Sequence, residues 1–391
     1  MAKKRIGILT GGGDVPGLNS VIKSVVYRST EHADFEVIGI RRGWEGLTHV
    51  NLDVGSDSDY LNPLDRQVTR SIDRTGGTFL HTSRTNPSRM QLEKLPGHLR
   101  QRAGELKEVS PGVVDATPIV LENLERLKID CLIAIGGDDT LSYAAVLHGK
   151  GFPIVGVPKT MDNDVRHTEY CVGFSTAMTR AVEFIGRLRT TVGSHERIGV
   201  LRIFGRDAGF TALYAAFVTS IRCCIPEAPF DLERLIEQLI EDKWSNPSRY
   251  SMVLLSEGAS WVGHELEGYG EVDPYGHQKK RNIAEALSEQ IKQGSGEETL
   301  VADLAYELRS GEPDFLDRMV ATSFAAMAFE SAVSGGGGRM TAVCKGCFDV
   351  VDIPDPSLGA RRVDVKTMYN VDRFRPDYST KKGFPIFLLS A

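Results

Sequence analysis

Apolar runs of strand length alternate with helix-like stretches along this chain, and the clearest set lies between residues 131 and 164. Residues 131–135 and 154–157 are apolar runs, and residues 141–148 between them place two alanines three and four positions after Leu141, as on one helix face. Strand, helix and strand at this length predict a βαβ unit with two parallel strands. Both strands would end at the same carboxyl edge of a sheet, where α/β proteins bind ligands.

A polar turn follows each of these two strands. The first turn is GGDDT at residues 136–140, and the second is PKTMDND at residues 158–164. Four carboxylates and one lysine would therefore face one crevice: Asp138, Asp139, Asp162, Asp164 and Lys159. Such crowding of negative charge is costly unless a metal ion and a phosphate lie among the side chains. The unit therefore predicts a site for both.

The chain begins with another strand, turn and helix. Residues 5–10 predict a buried strand, residues 11–17 form the turn GGGDVPG, and apolar residues then follow Leu18 at the i+3, i+4, i+7 and i+8 positions of a helix. A glycine-rich turn before a helix lets backbone N–H groups approach a phosphate. A tight turn without a ligand has the same pattern, so this stretch alone leaves phosphate binding open.

The same alternation continues to the C-terminal region. It predicts strands at residues 37–40, 197–203 and 252–255, and helices at residues 175–188, 231–242, 282–293 and around 319–328. The result is an α/β fold, and a length of 391 residues with 41% hydrophobic content favours two or three lobes over one.

Four segments are less regular. Residues 51–65 predict a surface connection, and residues 91–109 predict a helical excursion. Residues 76–84 predict a glycine-led strand with Arg84 just past it, and this arginine either clamps a phosphate bidentately or is solvated. The basic tail at residues 361–375 either closes over the crevice or lies in solvent.

Composition narrows the function classes. A net charge of −6 argues against broad binding to nucleic acid or to anionic membranes. No apolar run approaches ~18 residues and the N-terminus leads directly into a strand, so we expect neither a membrane span nor a signal peptide. The six cysteines include one Cys-x-x-Cys pair, Cys344 and Cys347, without a partner pair for zinc. A reducing cytoplasm is the simplest expected compartment.

Six motifs in register resemble those of the phosphofructokinase family, in the bacterial group that includes pyrophosphate-dependent members. They are GGT…SR at residues 76–84, GGD at 136–138, PKTMDND at 158–164, SHERIGVLRIFGR at 194–206, SEG at 256–258 and RSGEPDFLDR at 309–318. The resemblance implies the phosphofructokinase fold, an α/β fold of two Rossmann-like lobes with mainly parallel sheets. The donor and Mg²⁺ lobe would comprise residues 1–172 plus 308–355, and the sugar-phosphate lobe residues 173–307 plus 356–391.

The resemblance also implies roles for the residues on the donor side. The phosphoryl donor would be bound by Gly13, Arg84, Gly137 and Thr140. Asp138 would bind Mg²⁺, which bridges donor oxygens. Asp162 would be the general base that takes the proton from the sugar 1-hydroxyl, with Lys159, Asp139 and Thr160 as further catalytic residues and Asp164 beside them.

On the acceptor side, Arg197 and Arg309 would clamp the 6-phosphate of the sugar, partly across a subunit boundary. The resemblance implies that the sugar is positioned by Thr160, Met161, Asp162, Phe204, Gly205, Arg206, Glu257 and Tyr306. It further implies a homodimer or homotetramer whose subunits share the site, with no nucleic-acid or membrane partner.

Two positions determine the expected donor. Family members that use ATP resemble GGDGS and PGTIDND, whereas this chain has Asp139 and Lys159 in place of the two glycines. A glycine permits close approach of an α-phosphate, while an aspartate places a side chain and a negative charge in that space and repels a third phosphate. Lysine adds a cation that neutralises charge on the transferring group or the leaving phosphate. Both residues match the pyrophosphate users of the family.

The motif around residues 306–313 departs from the common family pattern. Tyr306 stands where many members have histidine, RSGEPD replaces RGG-x-P, and Leu300 occupies a position that is usually arginine. One sugar-phosphate contact is therefore missing or supplied elsewhere, which leaves open the use of sedoheptulose 7-phosphate as an acceptor.

The leading hypothesis is a reversible, Mg²⁺-dependent transfer of a phosphoryl group from pyrophosphate to fructose 6-phosphate. The enzyme alternative is an ATP-dependent phosphofructokinase, and the alternative from another class is a catalytically silent subunit that binds sugar phosphates. The presence of Asp138 and Asp162 weighs against the silent subunit, because a binding module needs no general base.

Overall fold

The structure is a computed structural model that describes residues 3–32, 34–55, 59–264, 268–269, 275, 279–280 and 282–378. In chain order its strands are β1 (Lys4–Thr10), β2 (Phe35–Ile40), β3 (Leu61–Leu64), β4 (Met90–Gln91), β5 (Lys107–Ser110), β6 (Val113–Asp115), β7 (Cys131–Gly136), β8 (Ile154–Pro158), β9 (Ile198–Ile203), β10 (Arg222–Cys224), β11 (Ser251–Ser256), β12 (Gly268–Tyr269), β13 (Lys279–Lys280), β14 (Thr299–Leu304), β15 (Arg339–Cys344), β16 (Cys347–Asp352), β17 (Tyr369–Asn370) and β18 (Arg375–Pro376).

The α-helices are α1 (Leu18–Ser29), α2 (Trp44–His49), α3 (Arg66–Thr69), α4 (Thr117–Arg126), α5 (Asp138–Gly149), α6 (Phe174–Ser194), α7 (Phe210–Thr219), α8 (Leu232–Ser245), α9 (Ile283–Ser295), α10 (Phe315–Val333) and α11 (Val365–Met368). Short 3₁₀ helices lie at Ile72–Arg74, Pro87–Arg89, Leu92–Lys94, Gly97–Glu105, Tyr306–Arg309 and Pro356–Leu358.

The larger sheet has the strand order β16-β15-β8-β7-β1-β2-β3. Its five central strands are parallel, and the antiparallel strands β16 and β3 form the two edges. The sequence of strand β7 is almost wholly apolar because both faces of the strand are buried. Ile133 packs into one core with α1 and α10, while Leu132 and Ala134 pack into a second core with α4 and α5. A strand that is buried on both faces cannot alternate apolar and polar residues.

The smaller parallel sheet has the order β10-β11-β9-β14 and carries the second lobe. Helices α8 and α9 bury Leu235, Leu239, Leu287 and Ile291 on one of its faces. Each of these helices begins at a side-chain N-cap. Asp231 accepts a hydrogen bond from Arg234 N at 3.1 Å, and Asn282 accepts one from Ala284 N at 3.0 Å. The α/β fold with mainly parallel sheets is therefore confirmed, while the exact lobe boundaries stay a prediction.

A buried carboxylate joins the two helices that run between the lobes. Asp317, near the start of α10, is fully buried, and its Oδ1 accepts hydrogen bonds from Tyr170 Oη at 2.6 Å and Gly173 N at 2.8 Å. Its Oδ2 accepts bonds from the backbone N–H, at 2.8 Å, and the hydroxyl of Thr176 in α6. Burial raises the pKa of Asp317 to about 6, although these donors favour the ionised form.

One sequence prediction of secondary structure was wrong. Residues 76–84 form turns and irregular chain instead of a strand, because their polar atoms bond to neighbouring elements; Asn19 Oδ1 in α1, for example, accepts from Phe79 N at 2.7 Å. Residues 91–109 contain the predicted helical excursion as 3₁₀ helix, longest at Gly97–Glu105, together with short strands.

Two further segments were only loosely predicted from the sequence. The connection at 51–65 includes the edge strand β3, where Pro63 is tolerated because a sheet edge does not require every N–H group. The tail at 361–375 does not lie in solvent, since Val363, Met368, Tyr369 and Phe374 are buried against the second lobe and its neighbours, and Arg361 N donates to Asp164 O at 2.6 Å. Within the described residues, no helix combines the length and apolar character that a membrane crossing requires.

We predict that Asp317→Ala lowers the free energy of unfolding by about 3 kcal/mol or more, because it leaves several buried donors without an acceptor. The measurement is urea denaturation followed by circular dichroism. The matched control is Glu330→Ala, which removes an exposed carboxylate from the same helix α10 and should leave the midpoint nearly unchanged. Equal midpoints for the two variants would contradict a structural role for Asp317.

Candidate active site

Three turns meet at the carboxyl edge of the larger sheet because their strands are neighbours in the order β8-β7-β1. They are the glycine turn at 11–14, the turn at 136–140 and the turn at 158–164, which we call the catalytic turn. Gly11 N donates to Ile135 O at 2.9 Å, and Lys159 N donates to Gly136 O at 2.9 Å. The parallel βαβ geometry predicted from the sequence therefore brings the donor-side candidates together.

Thr140 explains two of the glycines in these turns. Its side chain is buried, and a Cβ placed on Gly136 would lie 2.2 Å from Thr140 Cβ, while one on Gly11 would lie 2.5 Å from Thr140 Oγ1. Real Cβ atoms do not approach other atoms so closely. Thr140 thus packs directly beneath the glycine turn, at the first turn of α5.

Lys159 places a buried ammonium group between the glycine turn and α5. The residue is only 3% exposed, and its Nζ donates to Gly13 O at 2.6 Å. Burial and the charge of Arg309 lower the pKa of Lys159 to about 8, against the opposing effect of Asp14 and Asp139. Two cations therefore lie close together here, which favours an anionic ligand.

The two aspartates of the catalytic turn lie in a region of low dielectric and negative charge. Asp162 faces the cleft, but its Oδ1 is buried and has no hydrogen-bond partner among the described residues. Burial, followed by the charges of Asp164 and Glu257, raises the pKa of Asp162. Burial and the charge of Asp138 likewise raise the pKa of Asp164. A carboxylate with an elevated pKa and an open acceptor is suited to take up a proton.

The opposite wall of the cleft comes from the second lobe, at the ends of β9 and β11. Gly205 has φ +131°, and a Cβ on Gly258 would lie 1.9 Å from Arg206 O, so both positions need glycine. Arg206 Nε donates to Asp207 Oδ2 at 3.0 Å. Arg206 and Glu257 lie close enough to Asp162 to affect its pKa, which Glu257 raises and Arg206 lowers.

Arg309 spans the two lobes. Its guanidinium carbon lies 4.6 Å from the centroid of the Tyr306 ring and 5.8 Å from that of Phe204. Its Nε lies 3.6 Å from Asp14 Oδ1, and a Cβ on Gly13 would come within 2.7 Å of its Nη1. The arginine expected to hold the sugar phosphate therefore lies directly beside the glycine turn.

Arg84 is exposed at the rim of the glycine turn. The segment before it is fixed to that turn, since Gly12 N donates to Ser83 O at 3.1 Å and Thr82 Oγ1 donates to Gly12 O at 2.6 Å. Arg84 therefore reaches the same edge as the donor-side residues, although no strand carries it there.

Arg197 does not join this cleft within one chain. It precedes the first residue of β9, whereas Phe204, Gly205 and Arg206 follow the last. A strand of this length puts the two ends ~20 Å apart. The single chain therefore does not assemble Arg197 with the other sugar-phosphate candidates.

Three residues near the catalytic turn were missed by the sequence analysis: Asp207, Asn163 and Arg361. Asp207 pairs with Arg206, and buried Asn163 has φ +54° with its side chain bonded to Glu169 O and Cys171 N. Asn163 was visible as the centre of the Asp-Asn-Asp run, since asparagine tolerates left-handed backbone. For Arg361 the sequence left open whether the basic tail closes over the crevice, and it did not single out this arginine.

The carboxylates fit Mg²⁺ only together with a phosphate ligand. Among the described residues, no three His, Cys, Asp or Glu side chains are close enough to hold a metal together. Mg²⁺ commonly takes one or two protein carboxylates and completes its octahedron with waters and phosphate oxygens. Asp138, which begins α5 and acts electrostatically on Asp164, is placed for that kind of ligation.

Comparison with known proteins agrees with this architecture. Residues 5–332 match the sequence profile of the family described as Phosphofructokinase. ATP-dependent 6-phosphofructokinase 3 of Streptomyces coelicolor is 36% identical over 356 residues, which cover 90% of this chain and 94% of the relative. The pyrophosphate–fructose 6-phosphate 1-phosphotransferase of Dictyoglomus thermophilum is 34% identical over 379 residues, covering 95% and 100%.

The fold has solved counterparts. The crystal structure of a pyrophosphate-dependent phosphofructokinase from Marinobacter aquaeolei superposes with a TM-score of 0.74 at 17% identity, covering 99% of this chain and 92% of the other. With the sequence profile and the relatives at about one-third identity, the two lobes and their cleft establish that this chain belongs to the phosphofructokinase family.

Proposed function

We propose that this phosphofructokinase transfers a phosphoryl group from pyrophosphate to the 1-hydroxyl of fructose 6-phosphate, reversibly and with Mg²⁺. The observation that carries the proposal is the buried ammonium of Lys159, which lies between the glycine turn and Asp139 at the start of α5. This ammonium supplies a fixed positive charge where a short polyphosphate would lie, and Asp139 adds negative charge where a longer chain would continue.

Asp162 supplies the proton acceptor in this proposal. The sugar 1-hydroxyl gives its proton to the Asp162 carboxylate, whose buried Oδ1 needs a donor, and the hydroxyl oxygen forms a bond to phosphorus as the bond to the leaving phosphate breaks. In the reverse direction the same carboxyl group returns the proton. Reversibility follows because pyrophosphate and the product differ less in transfer potential than ATP and that product.

Positive charge from several elements would stabilise the transferring group. Lys159 and Arg309 lie beside the glycine turn, and Arg84 lies at its rim. Asp138 would hold the Mg²⁺ ion, whose charge would offset the negative charge that develops during transfer. The donor pocket would be shaped by Thr140, Gly137 and Gly13. The Thr160 hydroxyl accepts a hydrogen bond from Asp162 N at 3.1 Å.

For the acceptor, we propose that the sugar lies against Glu257, Arg206, Phe204 and Tyr306, with Met161 packed beneath and Arg309 on its phosphate. Arg197 would complete the phosphate site only from a second copy of the chain, which supports a homodimer or homotetramer with a shared site. The aromatic replacement at Tyr306 and the apolar Leu300 leave sedoheptulose 7-phosphate as a further acceptor to be assayed.

An ATP-dependent reaction is the second candidate. Relatives named as ATP-dependent match this chain at 36% identity, as high as those named for pyrophosphate. The residues at positions 139 and 159 favour pyrophosphate on physical grounds, and the donor variants described below separate the two candidates.

We predict that Asp162→Asn lowers kcat by ~10²–10⁴-fold with little change in the KM of the sugar, because it removes the general base and keeps the shape of the side chain. Steady-state kinetics with saturating pyrophosphate and Mg²⁺ measure this. A kcat like that of the wild type would place the base elsewhere, with Asp164 as the next candidate.

The pH dependence of kcat/KM for the sugar should show the elevated pKa of Asp162. The base acts only when deprotonated, so kcat/KM should fall tenfold per pH unit on the acid side, with a midpoint well above the ~3.9 of ordinary aspartate. In Asp162→Asn this acid limb should disappear from the residual activity. An unchanged limb in the variant would assign it to another group.

The donor assignment predicts that two single variants both impair the pyrophosphate reaction and that one of them also improves ATP binding. Asp139→Gly should open the space for an α-phosphate and improve ATP binding, while the pyrophosphate reaction loses the negative charge beside Lys159. Lys159→Gly should lower kcat with pyrophosphate by on the order of 10²-fold or more, because a preorganised cation is lost.

Kinetics of both variants and the double variant with each donor test these expectations. If Asp139 and Lys159 interacted only with each other and not with the donor, the two substitutions would not change the preference between the two donors. If Asp139→Gly leaves ATP use undetectable and pyrophosphate use intact, the donor assignment loses its physical basis.

A further inference from the structure

The basic tail forms a strap between the catalytic turn and the second lobe. We name residues 361–363 the C-terminal strap. Arg361 N donates to Asp164 O at 2.6 Å, and Arg361 Nη2 donates to Asn163 O. Two residues later, Val363 N donates to Glu227 Oε1 at 2.8 Å. The strap therefore bonds to the two carbonyl groups that follow Asp162 and also to the opposite lobe.

The guanidinium of Arg361 lies deep between the lobes. Its central carbon lies 4.4 Å from the ring centroid of Phe210, the first residue of α7, and its Nε is buried without a hydrogen-bond partner among the described residues. Burying a charged group costs free energy that its contacts must offset. An apolar side chain would fill the same space without that cost, so packing alone does not account for an arginine here.

Glu227 anchors the strap to the loop that leads into the sugar site. Its Oε1 accepts from Val363 N and also from Gly209 N at 3.0 Å. Gly209 immediately follows the segment 204–208, which contains Phe204 and Arg206. One carboxylate thus fixes the strap and the end of this loop relative to each other.

The main chain of the catalytic turn is held on both sides of Asp162. Asn163, which follows it, has φ +54°, a left-handed conformation that asparagine tolerates. On the N-terminal side, Thr160 Oγ1 accepts from Asp162 N at 3.1 Å. On the C-terminal side, both carbonyls accept from Arg361. The direction of the Asp162 side chain depends on the main chain held between these contacts.

We propose that Arg361 is a positioning residue for phosphoryl transfer. Its guanidinium donates a hydrogen bond to the Asn163 carbonyl and thereby fixes the orientation of the neighbouring Asp162 carboxylate relative to the second lobe. This inference rests on the proposed role of Asp162 as the general base. None of the six family motifs lies in the tail, so the inference gives a function to a segment outside them.

The test uses Arg361→Ala in the full chain, with pyrophosphate, fructose 6-phosphate and Mg²⁺. The main-chain bond to Asp164 survives any substitution, so the variant removes only the contribution of the side chain. We expect kcat to fall by about tenfold or more at a sugar KM within about twofold, because small misplacements of a reacting group are costly. Arg361→Lys, which keeps the charge, should recover part of the loss.

Arg362→Ala is the matched control, since this neighbour is exposed, and it should retain the kcat of the wild type. If Arg361→Ala does not fold, Arg361→Lys carries the test, because an ammonium lacks the planar fork and should still lower kcat at unchanged KM. A kcat like that of the wild type in the folded variant would overturn the proposal.

A double-variant cycle separates positioning from general destabilisation. If Arg361 acts through Asp162, then Arg361→Ala should change kcat by less than about twofold in the Asp162→Asn background, since residues that act as a unit are not additive. An equal loss in both backgrounds would overturn the inference. A kcat like that of the wild type for Asp162→Asn alone would instead overturn the base assignment of the proposed function.

Discussion

The donor side of the cleft depends on one buried cation, the ammonium group of Lys159, which lies where two turns at the sheet edge meet. Lys159 Nζ donates a hydrogen bond to Gly13 O at 2.6 Å, and the positive charge of Arg309 lies close enough to lower the pKa of Lys159. A buried ammonium needs compensation, and one carbonyl with two nearby carboxylates gives only part of it. An anionic ligand beside Lys159 would supply the remaining compensation, in line with the proposed polyphosphate donor.

Glycine makes this arrangement possible on both walls. Thr140 packs against Gly11 and Gly136 only because those residues have no Cβ, and Gly258 allows the backbone of Arg206 to pass at contact distance. The lobes are then held in register by connections of different kinds. Asp317 ties α10 to α6 with buried hydrogen bonds, and the C-terminal strap joins the catalytic turn to Glu227. The proposed acid–base chemistry at Asp162 would require this register, because the sugar would lie against one wall and the phosphoryl donor against the other.

Much of this could be predicted from the sequence because the signals are local. The strands β7 and β8 end at polar turns within one βαβ unit, so their meeting at one edge followed from chain topology. The helices α8 and α9 were predicted at residues 231–242 and 282–293, close to their observed bounds. Motif resemblance predicted Glu257 and Arg206 opposite Asp162; both lie close enough to affect the pKa of Asp162, and their roles stay a prediction.

Other features depended on contacts between distant segments. Residues 76–84 looked like a strand by composition, but hydrogen bonds to Asn19 and to the glycine turn replace the sheet ladder. The edge strand β3 contains a proline, which obscures its pattern. The role of Arg361 depends on a contact across almost two hundred residues, and Arg197 lies at the far end of β9, where no single-chain geometry can place it in the cleft.

The most direct test of the donor assignment is the initial rate of the unaltered protein with fructose 6-phosphate and Mg²⁺, measured in parallel with pyrophosphate and with ATP. Formation of fructose 1,6-bisphosphate is monitored by a coupled aldolase assay. The account predicts turnover with pyrophosphate and a far lower kcat/KM with ATP. Turnover with ATP and none with pyrophosphate would contradict the role given to Lys159 and Asp139.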